Sequence, residues 1–366
     1  MKKIINMAAA VVSFTFADAA VLVEEHSMRD YVKLLRGQAL DDTDFADFGK
    51  SYTAPSNAQL TSFATMAGFI AAGDLGSADN IAGGLGYEVV NLTDSVGGGN
   101  YYHLRETTSD GKVINGWGSY FFNPNSTRDV LIQAPHILHD THSYDVATVA
   151  LIHSGARGMM FNGTHRDSGG AADSDVADVA HLAQSVFNTV HETWTTNASV
   201  QAWQIHGFDI ANSSHATIPA GTDVVLSNGD GSVSQEIKNL DAQFELKTFI
   251  NDAESIAHAY NTLDVNDPDN AAVNGNVDGD AMKSLGGTNN VQGIYTRSLG
   301  GTFVHIELDQ SIRLDGTLAE DLENRERAGL AIASAIQLVP EPSSVVSVIF
   351  GAIVLFARRR RVRSKG

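Results

Sequence analysis

The chain has 366 residues, 43% of them hydrophobic and 18% charged, and its 24 Lys and Arg against 43 Asp and Glu give a net charge of −19 at pH 7. So acidic a surface repels nucleic acid and anionic lipid, which excludes a nucleic-acid partner. No cysteine is present, so disulfides and thiol catalysis are excluded, and any metal has to be held by His and carboxylate groups.

In chain order, Lys2 and Lys3 form a positive start, Met7 to Phe16 a short apolar stretch, and Ala17-Asp18-Ala19 an A-x-A cleavage site. This pattern predicts a secretory signal peptide over 1–19. Residues 20–338 keep 16 basic and 41 acidic side chains, a net charge of −25, and are long enough for a single α/β domain. Within it, 20–125 is expected to be a helical segment followed by antiparallel strands, and 126–338 the catalytic core.

From Tyr31 to Leu85 the apolar spacing is helical. Tyr87–Leu92, Tyr101–Arg105 and Trp117–Phe122 are rich in aromatic and β-branched residues between Gly and Asn turns, which predicts an antiparallel meander. After Asn125 the texture changes. Asp129–Ala134, Val146–His153, Gly158–Asn162, Val200–Ile205, Asp223–Ser227 and Thr302–Leu308 are near-continuous apolar runs, as in strands buried on both faces. Helical spacing occupies Asp173–Trp194 and Leu318–Ile336. The alternation predicts an α/β fold with a mixed, mostly parallel sheet flanked by helices.

Three of these strands lead into polar clusters: Pro135-His136-Ile137-Leu138-His139-Asp140, Asn162-Gly163-Thr164-His165-Arg166-Asp167, and Gln204-Ile205-His206-Gly207. Ligands of open α/β sheets collect beyond the carboxyl ends of strands, so these clusters are expected to converge. A fourth strand carries Glu307, with His305 on the same face by alternation. A carboxylate in an apolar strand is paired or catalytic, and Arg313 downstream is a candidate partner. A zinc hydrolase needs three ligands, an open position and a carboxylate to take a proton from water. His136, either His139 or Asp140, and His206 supply ligands, and Glu307 the base.

That order resembles the zinc carboxypeptidase-like hydrolases, which include the N-formylglutamate and aspartoacyl amidohydrolases. The resemblance implies zinc as cofactor and Arg166 as the group that binds a substrate carboxylate. The family motif is His-x-x-Glu, whereas here the third residue after His136 is His139 and the acid comes one later. Either His139 replaces the Glu or the loop brings in Asp140. An anionic ligand neutralises zinc better, which favours Asp140. His165 is a further ligand or an orienting neighbour. His181 and His191 read as packing or surface residues, and His191-Glu192 lacks the second His of an H-E-x-x-H motif. No G-x-S-x-G elbow, P-loop or dinucleotide fingerprint is present. Asn274–Asp280 matches the first half of a calcium loop, but Leu285 stands where a bidentate Glu is needed, so calcium is not expected and an acidic surface loop is.

Val339-Pro340-Glu341-Pro342-Ser343-Ser344 precedes an apolar run, Val345–Ala357, and then Arg358-Arg359-Arg360-Arg361. This order resembles the PEP-CTERM sorting signal. It implies an exosortase and the secretion machinery as partners, a transient transmembrane anchor over 339–366, and removal of that tail at the cell envelope. The run is short for a span of about 20 residues, and the arginines hold its end on the cytoplasmic side. An ordinary C-terminal anchor is the alternative. The expected function is an exported zinc-dependent hydrolase acting on an amide or peptide-like bond near a substrate carboxylate. The alternatives are a non-enzymatic cell-surface or extracellular-matrix protein with structural histidines, and a metal-dependent esterase or phosphatase at the same site.

Overall fold

The computed structural model describes residues 21–40, 52–168, 177–212, 223–230, 232, 234–246, 285–314 and 317–340. The signal peptide expected over 1–19, the Asp264–Asp280 segment and the expected tail from Glu341 onward lie outside these residues.

Strand β1 (Leu22–His26) leads into α1 (Met28–Gln38), where the Ser27 side chain accepts from Asp30 N. α2 (Asn57–Ala72) opens on a reciprocal Ser56–Gln59 capping box and stops at Gly73, whose φ of 77° suits glycine. α3 (Leu75–Ala82) completes the helical segment expected there. β2 (Tyr87–Asp94), β3 (Asn100–Glu106) and β6 (Ser119–Phe122) then form the antiparallel meander. A small hairpin of β4 (Thr108–Ser109) and β5 (Lys112–Val113) stands beside it.

The centre of the sheet is parallel: β7 (Arg128–Ala134), β8 (Ala156–Phe161), β9 (Gln201–Phe208) and β11 (Phe303–Asp309). β10 (Val224–Ser227) pairs antiparallel with β11 at one edge. Among the described residues the spatial order is β1-β2-β3-β6-β8-β7-β9-β11-β10. The protein is therefore an α/β fold with one large mixed sheet flanked by helices.

α4 (Ser143–Ser154) joins β7 to β8, and α5 (Val186–Trp194) follows β8 on the way to β9. α6 (Gln235–Leu246) and α7 (Val291–Ser298) precede β11; α8 (Gln310–Arg313) and α9 (Leu318–Gln337) follow it. One core packs α1, α4, α6 and α9 against Val130, Ile132, Trp203, Ile205, Val304 and Ile306. A second packs α2, α3 and α5 against Leu131, Met160 and the meander. α4 and α5 thus lie on opposite faces, as right-handed crossovers running in opposite directions, β7 to β8 and β8 back past β7 to β9, require.

Two expectations need correction. Val146–His153 is not a strand but the body of α4. Its β-branched, apolar sequence reflects burial on nearly every side, where periodicity cannot separate helix from strand. Parallel β7 and β8 also need a crossover between them, and Gly155, at φ 71°, ends the helix and turns the chain into β8. The Asp173–Trp194 helix is shorter than expected. Its described part is helical only from Val186, where Ser185 caps by accepting from Asn188 N. The sequence patterns also passed over β1, the β4–β5 hairpin, α6 and α7. Among the described residues no helix is long and apolar enough to cross a membrane.

Candidate metal centre

From β7 the chain crosses to β8 on one side and later places β9 on the other. The carboxyl ends of β7 and β9 therefore flank the switch point of the sheet, where α/β proteins open a crevice. His136 follows β7 by two residues, and Asp140 N donates to His136 O at 2.7 Å. That helical turn brings side chains four apart onto one side, which is how a His-x-x-x-Asp spacing serves here. On β9 and β11 the registers align His206 with Glu307 and Gln204 with His305. Alternation turns all four side chains away from the face of Ile205, Val304 and Ile306.

His136, Asp140 and His206 converge. His206 Nδ1 lies 3.2 Å from His136 Nδ1 and 3.2 Å from Asp140 Oδ2, and His136 Nδ1 lies 3.3 Å from the same Asp140 oxygen. The three residues are 3–5% exposed. Atoms bound about 2.0–2.1 Å from a tetrahedral ion stand about 3.3 Å apart. The triangle has that edge on all three sides. The group is a buried set of donors able to hold a metal ion.

Asp178, fully buried, accepts from His136 Nε2 at 2.8 Å, from Ala180 N at 3.1 Å and from His181 Nδ1 at 3.0 Å. A carboxylate so supplied with donors only accepts, so His136 carries its proton on Nε2 and turns Nδ1 to the centre. His139 is not in the triangle. Its half-exposed ring meets Asp140 Oδ1 at 3.0 Å and orients that ligand. His165 stands outside as well, with Nδ1 3.7 Å from Asp167.

The charges follow from this packing. Burial works against a charged His136, but Asp178 and Asp140 outweigh it and carry its pKa up to about 10. Burial likewise opposes ionised Asp140, yet the side chains of His136 and His139 beside it hold it well below the usual carboxylate range. Glu307 is pushed the other way, first by burial and then by the Asp140 charge.

Glu307 is 6% exposed, and its Oε2 has no hydrogen-bond partner. His305 Nε2 is 3.8 Å from Glu307 Oε1, and His305 Nδ1 is also unpartnered. The alternative pairing of Glu307 with Arg313 is not formed. Arg313 donates to the main-chain oxygens of Leu308, Thr141 and Phe208 at 3.1, 2.7 and 3.1 Å, so only its field reaches Glu307. His206, His305 and Glu307 bring one ligand-type atom each within 4.8 Å of one another.

A cleft of about 120 Å³ opens over these groups, lined by His136, Arg166, His181, His206, Thr288, Asn289, Asn290, His305 and Glu307. Gly287 shapes its wall, because a Cβ there would lie 2.6 Å from His305 Cδ2 and its φ is 64°. Arg166 stands at the rim, one third exposed, with Nη2 3.7 Å from Asp178 Oδ2. All the site residues expected from sequence therefore meet in one place. Asp178, His181 and the buried amide Gln204 were missed as site residues. His305 had been placed on the face of Glu307 but given no role. A signal existed for the first two: Asp178 and His181 stand three apart after Ala177. No protein-family model, curated protein or solved structure matches the chain.

Proposed function

We propose that the protein is an exported zinc-dependent hydrolase that cleaves an amide or peptide-like bond near a substrate carboxylate. One observation carries this reading: two imidazole nitrogens and a carboxylate oxygen form a buried triangle with tetrahedral edges. Histidines kept only for packing satisfy their ring nitrogens against protein donors and acceptors. Here two ring nitrogens, one just past β7 and one on β9, close on one carboxylate oxygen at an opening in the sheet, an arrangement that favours a metal centre over packing alone. The donor set of two imidazoles and one carboxylate, with no thiolate, suits zinc with an open position.

When bound, zinc would polarise a substrate carbonyl and make water acidic enough to attack at neutral pH. The remaining work belongs to the chain. Glu307 faces the same cleft with a free oxygen, and a cation beside it would oppose the burial and the Asp140 charge that push its pKa up. It can then accept a proton from water and return it to the leaving amine. Arg166, at the rim, holds an anionic substrate group, in keeping with the polar lining of the cleft. His139 and Asp178 keep Asp140 and His136 in place. The leader and the Pro-Glu-Pro tail support export and sorting by an exosortase.

The test is turnover by zinc-loaded protein on N-acyl amino acids. Their carboxamide-capped analogues, carboxylic esters and phosphomonoesters serve as competing arms, and His206→Ala as blank. Hydrolysis of the free acids above the capped forms is expected. Activity confined to esters or phosphomonoesters would replace the amide reading, and none anywhere would remove it.

A further inference from the structure

Behind His206 lies a buried polar layer between β7, β9 and α7: Gln133, Gln204, Gln292 and Asn290, each at most 2% exposed. A side-chain amide can face either way, and its neighbours decide. Here the decision comes from main-chain groups whose polarity cannot reverse. The carbonyl of Val179 only accepts, and Gln292 Nε2 donates to it at 3.0 Å. Gln292 therefore turns Oε1 toward Gln204, 3.3 Å from Gln204 Nε2. The amide of Gly293 only donates, and Asn290 Oδ1 accepts from it at 2.9 Å. Asn290 therefore presents Nδ2 to Gln204, whose Oε1 accepts. The two anchors are independent and give one orientation. Gln133 agrees, since its Oε1 accepts from Gln204 Nε2 at 2.9 Å while its own Nε2 faces Met160 Sδ.

Gln204 Oε1 is thus fixed as an acceptor, and it lies 2.7 Å from His206 Nε2. That nitrogen has to carry the proton. A ring with one proton then leaves Nδ1 bare; that atom stands in the triangle, 3.2 Å from His136 Nδ1 and 3.2 Å from Asp140 Oδ2, a longer approach than the one Nε2 makes to Gln204.

We propose that Gln204 is a positioning residue of the centre: it locks His206 as the Nε2–H tautomer, with Nδ1 bare toward the cation, because Val179 O and Gly293 N fix the direction of the amide chain behind it. The consequence for metal affinity rests on the metal reading above; the tautomer does not.

The experiment uses the full chain with ¹⁵N-labelled histidine, free of metal, and reads protonated and bare ring nitrogens by long-range proton–nitrogen correlation. The His206 signals are those absent from His206→Ala. Wild type is expected to show His206 protonated at Nε2. Zinc affinity is then compared in two variants. Gln204→Leu removes the acceptor and is expected to weaken zinc by about 10–100-fold. Gln204→Glu keeps an acceptor in place and should lose less than about tenfold while retaining the Nε2–H signature. A merely packing role would favour leucine over a buried glutamate, the opposite order. Nδ1–H in wild-type His206, or a folded Gln204→Leu that binds zinc as wild type does, overturns the proposal. If the leucine variant does not fold, the wild-type and glutamate spectra decide it. A wild type that binds no zinc would overturn the metal reading alone, and the spectrum would still decide the tautomer.

Discussion

At the scale of single residues, two ring nitrogens 3.2 Å apart cannot both present bare lone pairs to each other. Without metal, a proton on His136 relieves the contact, and Asp178 and Asp140 favour that proton by carrying the His136 pKa up to about 10 against the cost of burial. A metal ion has to displace that proton. Zinc binding near pH 7.5 should therefore release about one proton, seen as a dependence of calorimetric heat on buffer ionisation enthalpy. The linkage has a definite sign. His136 titrates higher folded than unfolded, so its proton stabilises the metal-free protein fully below about pH 6.5, and that share is lost as pH rises. The rise in melting temperature on adding zinc should then grow between about pH 6 and 9. A constant or shrinking rise would contradict it. Glu307→Gln should keep fold and zinc but lower turnover by about 10²–10⁴-fold. Gln is close in shape to the protonated acid, and Arg313 retains its three carbonyls, so no stranded charge is created. A fully active variant would sink the mechanism. His136, His206 and Glu307 were legible because each ends or occupies an apolar strand. Gln204 was not, because an uncharged amide inside a strand gives no electrostatic signal, and only its partners reveal it.

At the scale of elements, α4 and α9 approach closely. A Cβ at Gly329 would lie 2.5 Å from Val149 Cβ and 2.9 Å from Val146 O. Gly329→Ala should cost about 1–3 kcal/mol in urea denaturation, as overpacking does. Gly68 in α2 is the contrast, since a Cβ there meets nothing within 4 Å. Gly68→Ala should gain about 0.5–1 kcal/mol from the better helix former. Equal effects of the two changes would show that the α4–α9 contact is looser than described. The same contact explains what sequence patterns could not resolve. α4 is covered by α9, α1 and the sheet, so its sequence carries no polar face. The strands were easier, because each joins a continuous apolar run to a polar cluster or a turn. α5 was read too long because Val179 and Ala180 of the preceding turns are buried, Val179 in the same core as α5, without being helical.

At the scale of the whole molecule, the alternation of strands and helices was enough to give the fold class and to bring three clusters to one end of the sheet. The order of strands was not legible, because only side-by-side pairing shows that β7 lies between β8 and β9. That placement makes a crevice at His136 and His206 rather than elsewhere along the edge. Sorting belongs to this scale too. Mass spectrometry of protein from its native host should find a chain that begins near Ala20 and lacks everything after about Pro342. An intact Gly366 on the mature chain would remove the sorting proposal. The metal itself is tested most directly by elemental analysis of the purified protein after loading with zinc and exhaustive dialysis. About one equivalent is expected in wild type, and none in the His136→Ala, His206→Ala double variant. A full equivalent in the double variant, or a wild type that retains no metal, would contradict a centre built on His136, Asp140 and His206.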